Sequence, residues 1–375
     1  MVCDDVAVVP PIDPLAALRA LRESGARPAA LIGSWGGFDA LLAPAPELAS
    51  GRMPDGAPWL GVLGYPDVRA DDARLLPQVV GGDPGPLLRR DGAGWHGELP
   101  RAHGGGRPWH ATWRGPDPAA HSAAVHACKE AIRAGDVYQV NVCTRFDGRL
   151  VGDPLDMFCD IVARTAPRKS AFLQGDWGAL MSFSPETFLT ERDGHVAEHP
   201  IKGTLPRSEP PEALRASMKD VAENVMIVDL VRNDLGRVAR IGTVRAPGLL
   251  RVEAAPGVWH LVSHVTAELR PGVTRDQLLA ATFPPASVTG TPKIAARERI
   301  TQWERHTRGS YTGAVGIDHP VTGLDLNVAI RTVEWAPGGT MRLGVGGGIT
   351  IDSDPAAEFQ ECLHKAATIV SATHL

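Results

Sequence analysis

The segment HPIKGTLPR at residues 199–207 holds one lysine, Lys202, between a Pro-Ile pair and a Gly-Thr pair. Upstream, two alternating runs flank Asp193-Gly194, a dipeptide typical of a tight β-hairpin turn. A two-residue turn places Glu186 opposite Ile201, and a three-residue loop places it opposite Lys202. Either register brings together a carboxyl and an amine that could serve as acid and nucleophile on one small molecule. A rim salt bridge worth ~0–1 kcal/mol is the alternative interpretation.

Two pairs of carboxylates have helical spacing. Asp220 and Glu223 are three residues apart, as are Glu358 and Glu361, so each pair shares one face of its helix. Oxygen ligands without a His or Cys partner favour a hard cation, most simply Mg²⁺. Ordinary solvated helix faces would give the same pattern, and this alternative stays open for each pair.

Two features of the sequence could hold a carboxylate, namely the turn at 289–293 and Arg331, whereas a glycine-rich segment does not fit a nucleotide site. The glycines of LGVGGGITIDSD do not form a dinucleotide motif, because the third glycine of G-x-G-x-x-G would fall on Ile349. TGTPK at 289–293 is not a phosphate-binding P-loop, but its turn offers backbone N–H groups to a carboxylate or simply ends a strand. Arg331 closes an alternating run and is a natural bidentate partner for a carboxylate. Gly203, beside Lys202, permits close approach of a ligand to the backbone.

The composition excludes several classes of protein. The net charge of −5 argues against nucleic-acid binding, and no apolar run reaches the ~18 residues of a membrane span. Five scattered cysteines without a C-x-x-C pair favour reduced thiols and a cytoplasmic location. The 13 histidines form no H-E-x-x-H, and no cysteine lies in a G-x-C-x-G elbow of the kind that a glutaminase uses.

The elements that must position these groups are clearest after residue 118. Residues 118–135 have helical periodicity and end at Gly135, and VYQVNVCTRFDGRL alternates as a strand does. Helices are predicted from about Glu212 to Arg240 and from Asp354 to the end. Strands and helices do not strictly alternate, which favours an α+β fold. Apolar stripes are predicted at Met218, Val221, Val225 and Val228 on one helix and at Leu363, Ala366, Ile369 and Val370 on the other.

Taken in order, the motifs resemble those of the chorismate-utilising enzymes from about residue 118 to 375. They are VYQVNVCTRF, SFSPETF, PIKGT, AENVMIVDLVRNDLGRV, HLVSHV, FPPASVTGTPK, YTGAVG, VAIRTV and GGGITIDSDPAAEFQECLHKA. The resemblance implies two packed antiparallel β-sheets covered by helices. It also implies a catalytic region over residues 111–375 and a variable N-terminal region, residues 1–110, packed on that core.

The resemblance implies a magnesium site on the two acidic helices. Glu223 and Glu361 would be the Mg²⁺ ligands, with Asp220 and Glu358 nearby. The metal would hold the ring carboxylate of chorismate, and Lys293 would lie near that carboxylate.

Other roles follow from the same resemblance. Arg331 and Tyr311 would bind the enolpyruvyl carboxylate. Glu186 would be the general acid for the departing 4-hydroxyl, while Thr204 and His260 would line the ring. A core histidine with satisfied hydrogen bonds is the alternative for His260. The backbone that completes the enolpyruvyl site would be that of Gly346, Gly347 and Gly348.

Two positions separate the activities of the family. Relatives that add water to chorismate carry Lys where Gln139 stands, so Gln139 cannot be that base and is assigned to substrate binding. Relatives that form anthranilate carry Ala in place of Lys202. A lysine there implies an adduct at C2 of the ring followed by amination at C4, which requires a neutral amine.

The missing glutaminase motif, together with the habit of the family, implies ammonia from a separate glutamine amidotransferase subunit. Chorismate is the expected substrate, and no tryptophan inhibition is expected because the N-terminal FDALLAPAPE only approaches the segment that such enzymes carry. Two alternatives stay open at this point. One is anthranilate formation, and the other is a non-catalytic protein that binds a chorismate-like anion.

Overall fold

A computed structural model describes residues 12–67, 71–100 and 105–372. A short 3₁₀ helix covers Ala286–Val288. The helices within those ranges are α1 (Pro14–Glu23), α2 (Pro118–Arg133), α3 (Pro154–Thr165), α4 (Glu212–Ala216), α5 (Met218–Gly236), α6 (Arg275–Thr282), α7 (Lys293–Trp303) and α8 (Pro355–Val370).

The strands, numbered in chain order, form two antiparallel sheets. The first sheet contains β1 (Ala29–Trp35), β2 (Phe38–Ala43), β6 (Leu88–Asp91), β7 (Gly94–His96), β8 (His110–Arg114), β9 (Gln139–Val151), β10 (Lys169–Gly175), β11 (Gly178–Ser184), β17 (Gly290–Thr291), β20 (Thr332–Trp335) and β21 (Thr340–Ile349). The second contains β3 (Ala49–Ser50), β4 (Trp59–Leu63), β5 (Val79–Gly82), β12 (Thr187–Arg192), β13 (His195–Glu198), β14 (Ile201–Pro206), β15 (Arg245–Ala255), β16 (Val258–Glu268), β18 (Ala314–His319) and β19 (Gly323–Val328).

The two sheets pack face to face between layers of helices. Leu31 and Leu41 of the first sheet share a core with Leu60 and Val62 of the second. Helices α1, α3 and α8 pack on the other side of the first sheet, and α5 and α6 pack on the second. This arrangement confirms the predicted fold of two antiparallel sheets with helices.

Strands from the N-terminal part of the chain belong to both sheets. Strand β1 pairs with β10 in the first sheet, and β4 pairs with β18 in the second. Backbone hydrogen bonds therefore join this part of the chain to the strands that follow residue 111. No helix in the described ranges is long and apolar enough to cross a membrane.

A buried ion pair joins the sheets. Lys169 on β10 and Asp325 on β19 are 3% and 4% exposed, and their side chains form a salt bridge. The Lys169 ammonium also lies 4.1 Å from the centre of the Trp35 ring. Such a pair is costly to break because removal of either partner leaves a buried, uncompensated charge.

Helix boundaries follow from capping residues. The predicted helix at 118–135 ends at Arg133, and Gly135 follows it with φ +82°. Asp354 caps α8, as predicted, by accepting a hydrogen bond from the Ala357 N–H. The single helix predicted from Glu212 to Arg240 is wrong. Ser217 is extended, ends α4 and caps α5 through its side chain, so the chain bends there.

Candidate active site

A cavity of about 690 Å³ collects most of the predicted site residues. Its walls come from both sheets, through β14 and β16 on one side and β21 on the other, and from α5 and α8. The predicted residues that line it are Glu186, Lys202, Gly203, Thr204, Asp220, Glu223, His260, Tyr311, Arg331, Gly346, Gly348, Glu358 and Glu361. Residues more than 170 positions apart in the chain thus share one site.

Lys202 enters the cavity from a β-bulge. The hairpin at Asp193-Gly194 has the predicted two-residue turn, with Arg192 opposite His195. The same ladder was expected to continue to Ile201, and this was wrong, because β14 pairs with β16 instead. The register of β14 shifts by one residue between Ile201 and Thr204, so Lys202 and Gly203 form the bulge. A bulge re-aims a side chain, which places Lys202 in the cavity wall.

Gly203 is required by this local geometry. Its φ is +78°, a region that side chains disfavour. A β-carbon here would lie 3.0 Å from the β-carbon of Asp220 on α5. The glycine lets helix α5 approach the bulge, so the acidic helix and the lysine strand meet.

The Lys202 amine is held among opposite charges. Its Nζ lies 3.0 Å from the Ser287 carbonyl oxygen, to which it donates a hydrogen bond. Burial lowers the pKa of Lys202, while the carboxylates of Glu223 and Glu186 act in the opposite direction. The net lowering increases the fraction of neutral, nucleophilic amine at a given pH.

Glu186 is 5% exposed, at the turn between β11 and β12. Burial raises the pKa of its carboxyl, whereas hydrogen bonds from the Ser287 hydroxyl and the Ile201 N–H and the charge of Lys202 oppose the rise. The predicted proximity of Glu186 and Lys202 therefore holds, although the strand pairing that was expected to create it does not. A buried carboxyl with a raised pKa suits a general acid.

Thr204 and His260 are directly opposite each other on β14 and β16. The Thr204 Oγ1 lies 3.0 Å from the His260 Nδ1. Burial, followed by the nearby charge of Arg331, lowers the pKa of His260 to about 4. The imidazole is therefore neutral at neutral pH, and the side chain faces the cavity rather than the core.

The two acidic helices face each other across one end of the cavity. The Lys219 Nζ on α5 lies 3.9 Å from carboxylate oxygens of both Glu223 and Glu358. On α8, Lys365 forms a 2.7 Å ion pair with Glu361 and donates to the Gly346 carbonyl oxygen at 2.8 Å. All four acids line the cavity; Glu358 is buried, Asp220 and Glu223 are half-buried, and Glu361 is exposed, so a fully solvated face does not describe the first three.

One carboxylate oxygen on this wall lacks a hydrogen bond, although the Lys219 ammonium lies 3.9 Å from it. The Glu223 Oε1 is buried and accepts no hydrogen bond within the described part of the chain. Burial raises the pKa of Glu223, and the charge of Lys202 opposes the rise. Among described residues, no three His, Cys, Asp or Glu side chains come close enough together to form a ready metal-binding cluster.

Arg331 and Tyr311 also line the cavity. Arg331 lies at the crossover from β19 to β20 with φ +50°, a left-handed conformation. Desolvation lowers the pKa of its guanidinium, and no described carboxylate counters this effect. Tyr311 packs against Gly344, where a β-carbon would lie 2.3 Å from the ring. An arginine without a protein counter-ion in a cavity suits an anionic ligand.

Three predicted site residues are not in the cavity wall. Lys293 lies behind it, bonded to Asp234 at 2.5 Å and to the carbonyl oxygens of Thr282 and Pro284. Its expected place near the metal-side carboxylate was therefore wrong, because these three acceptors use all of its N–H groups. Gln139 is 2% exposed and fills the space beside Gly348. A β-carbon at Gly347 would lie 3.1 Å from a carboxylate oxygen of Glu358.

The lining residues that sequence patterns missed include Asn141, Ser287, Lys219 and Lys365. The i,i+4 spacing of Glu361 and Lys365 could have identified one of them. Ser287 gives no signal in the sequence, because its role depends on a 3₁₀ turn that lies beside Lys202 only in the folded chain.

The family model of chorismate binding enzymes matches residues 99–371. This chain therefore belongs to the chorismate binding enzyme family, and the resemblance inferred from its motifs is confirmed.

Among curated relatives, the chain is 43% identical over 246 residues to aminodeoxychorismate synthase component 1 of Salmonella typhimurium, an alignment covering 64% of this chain and 54% of the relative. It is 40% identical over 255 residues to aminodeoxychorismate synthase of Streptomyces griseus (66% and 35% covered). It is 38% identical over 256 residues to anthranilate synthase component 1 1 of Haloarcula marismortui (66% and 52% covered). The chain thus spans about half the length, or less, of the curated relatives it matches.

Solved structures share the architecture. Anthranilate synthase component I from Streptococcus pneumoniae superposes with a TM-score of 0.73 at 25% identity, covering 86% of this chain and 82% of that one. The menaquinone-specific isochorismate synthase of Escherichia coli gives 0.71 at 19% identity, covering 96% and 91%, which shows the fold alone.

Proposed function

We propose that this protein converts chorismate and ammonia to 4-amino-4-deoxychorismate. The observation that carries the proposal is the bulge that places the Lys202 amine, with its lowered pKa, in one cavity with the buried Glu186 carboxyl. The first of the relatives described above, which is named aminodeoxychorismate synthase component 1, supports the same assignment.

The residues suit two successive displacements. The Lys202 nitrogen forms a bond to C2 of the ring while both ring double bonds shift and the C4–O bond breaks. Glu186 gives its proton to the leaving oxygen, which departs as water. Ammonia then forms a bond to C4 and the C2–N bond breaks, which releases the lysine as a neutral amine. The new ammonium returns a proton to Glu186, so the enzyme is restored.

Two sets of lining residues suit the two carboxylates of chorismate. Arg331 and the backbone of β21 around Gly346 would hold the enolpyruvyl carboxylate. The acidic residues of α5 and α8 would hold the ring carboxylate with Mg²⁺. His260 and Thr204 would line the ring. Because His260 is neutral, it offers a hydrogen bond without adding positive charge beside Lys202.

The donor set of the acidic wall fits magnesium. Glu223, Glu361, Glu358 and Asp220 would supply oxygen ligands, and the buried Glu223 Oε1 has no hydrogen bond in the described structure. When bound, the cation would neutralise and orient a substrate carboxylate. In the protein alone, Lys219 and Lys365 hold these acids, so metal binding would compete with both ammonium groups.

We also propose that ammonia comes from a separate glutamine amidotransferase subunit. The absence of a G-x-C-x-G elbow and the component 1 designation of the relatives support a two-component enzyme. Free ammonium should replace the partner in a purified assay.

The test is to incubate the chain with chorismate, Mg²⁺ and ammonium and to identify the product by mass and ultraviolet spectrum. The expected product is 4-amino-4-deoxychorismate. Anthranilate, or an isomer aminated at C2, would reject the assignment, and binding without consumption of chorismate would make the protein a non-catalytic anion binder.

The Lys202→Ala variant tests the covalent step. Loss of a nucleophile should lower the rate of C4 amination by about 10²–10⁴-fold or divert the product. Chorismate binding, measured by calorimetry, and the circular dichroism spectrum should stay close to those of the wild type. Unchanged product at an unchanged rate would exclude an adduct at Lys202.

A further inference from the structure

A second, much smaller cavity lies behind the Glu186 side chain. Its volume is about 10 Å³, roughly the room that one water molecule needs. The apolar part of its wall comes from Phe188, Val231 and Val328. Glu186, Glu198 and Ser287 supply polar groups, and Glu186 and Ser287 also line the large cavity.

Glu198, the last residue of β13, has an unsatisfied hydrogen-bond acceptor at this cavity. It is 4% exposed, and its Oε1 is buried without a partner in the described structure. The nearest cation, Lys293, already donates to Asp234 and to two carbonyl oxygens, so it has no N–H left for Glu198. A buried oxygen of this kind normally has a water partner when no protein donor is present.

The charges around the small cavity favour a protonated Glu198. Two carboxyls, Glu198 and Asp234, face the single ammonium of Lys293, and Asp234 forms the ion pair. Burial raises the pKa of Glu198 well above its ordinary value; Lys293 opposes this rise, and Asp234 and Glu186 add to it. On the other side, Glu186 faces the ammonium groups of Lys202 and Lys365.

We propose that Glu186 and Glu198 form a water-bridged carboxyl pair that shares one proton across the small cavity, with Glu198 as a positioning residue for the acid. The use of this proton in turnover rests on the proposed function. As the C4–O bond breaks, the O–H bond of Glu198 breaks, the bridging water passes this proton to Glu186, and Glu186 passes it to the leaving oxygen, so both carboxyls are then ionised. Glu198 is then a carboxylate beside Lys293. The proton released by the adding nitrogen restores the pair.

The Glu198→Gln variant tests the pair through the pH profile. Loss of the last proton from a carboxyl pair leaves two negative charges that repel each other. The pKa for that loss is therefore higher in the pair than in a single carboxyl. The alkaline limb of kcat should therefore move to lower pH by about one unit, a tenfold lower rate at high pH, with KM for chorismate unchanged. Glu334→Gln is the matched control, since Glu334 is equally buried, has a raised pKa and lines neither cavity. A profile that superposes on the wild type, or an equal shift in the control, would overturn the proposal.

A measurement without substrate separates this proposal from the proposed function. Infrared spectra of protein with isotope-labelled glutamate follow the C=O stretch of protonated carboxyls during a pH titration. In the Glu186→Gln and Glu198→Gln variants, the remaining carboxyl should lose its proton at lower pH than the last proton of the wild-type pair. Independent titration of the two groups would refute the pair even in a protein that does not consume chorismate. If Glu198→Gln does not fold, the Glu186→Gln titration decides alone.

Discussion

Thr204 and His260 face each other across the ladder between β14 and β16, with the Thr204 Oγ1 3.0 Å from the His260 Nδ1. The β-bulge at Lys202 and Gly203 precedes this pair directly, so the hydrogen bond holds β14 on β16 where the lysine leaves the strand. The pair thus connects the orientation of an imidazole in the cavity wall with the position of the proposed nucleophile.

Removal of the threonine hydroxyl should weaken catalysis. We expect Thr204→Val to lower kcat about tenfold, because the imidazole loses a hydrogen bond worth about 1 kcal/mol that orients it. Thr204→Ser keeps the hydroxyl and should retain most of the rate. Steady-state kinetics with chorismate and ammonium would measure the difference. Equal rates for the valine and serine variants would show that the Thr204 hydroxyl does not contribute to catalysis.

His260 should make the fold sensitive to mild acid. Its pKa falls from 6.5 to about 4 on folding, so between these values the unfolded chain binds a proton that the native protein excludes. Stability is therefore lost as the pH falls from 6.5 toward 4, by at most about 3 kcal/mol. Urea unfolding at both ends of this window should show a smaller loss in His260→Asn. An equal loss in both proteins would contradict the assignment.

Glu361 can be tested for metal binding without turnover. We expect Glu361→Gln to weaken Mg²⁺ affinity at least about tenfold in a calorimetric titration. Mutation of a residue that only hydrogen-bonds to a metal ligand already lowers metal affinity by about 10–100-fold, and Glu361 is itself a proposed ligand. Glu298 on α7 is exposed and lies outside the cavity, so Glu298→Gln is the control. Unaltered Mg²⁺ binding by Glu361→Gln would exclude this residue as a ligand.

Alanine variants at Gly203 and Gly194 can separate the effect of backbone strain from the effect of a steric contact. Gly203 and Gly194 have similar φ values, +78° and +81°, but only a β-carbon at Gly203 would meet another residue within 4 Å. Both alanine variants should lose about 1 kcal/mol from the left-handed backbone. Gly203→Ala alone should also push Asp220 away and lower both Mg²⁺ affinity and rate. Chemical unfolding and metal titration of the two variants would check this, and equal metal affinity would refute the role of the contact.

Local sequence signals predicted local structure well. The Asp193-Gly194 turn and its register were correct because a two-residue hairpin is fixed by the residues within it. The partner of β14 was not predictable in this way, since β16 begins more than fifty residues later in the chain. The motifs nevertheless predicted that Lys202 shares a site with Glu186, Glu223 and Glu361, which line the same cavity, because a family resemblance carries long-range information that periodicity lacks.

The apolar stripe predicted for α5 was wrong for a physical reason. Met218 and Val225 are 86% and 43% exposed, whereas the polar Asn224 is completely buried. Asn224 donates to the Leu261 carbonyl oxygen and accepts from the Ser263 hydroxyl, so its face is the one that packs on β16. A buried side chain whose hydrogen bonds are all met within the protein looks polar in a sequence and hides the true inward face of the helix.

The Lys169–Asp325 salt bridge ties together the two sheets whose strands line the cavity. Gly346 and Gly348 belong to the first sheet, while Lys202 and His260 belong to the second. The separation of the two sheets therefore determines the width of the cavity at these residues. The ion pair fastens β10 to β19 and resists sliding of one sheet over the other.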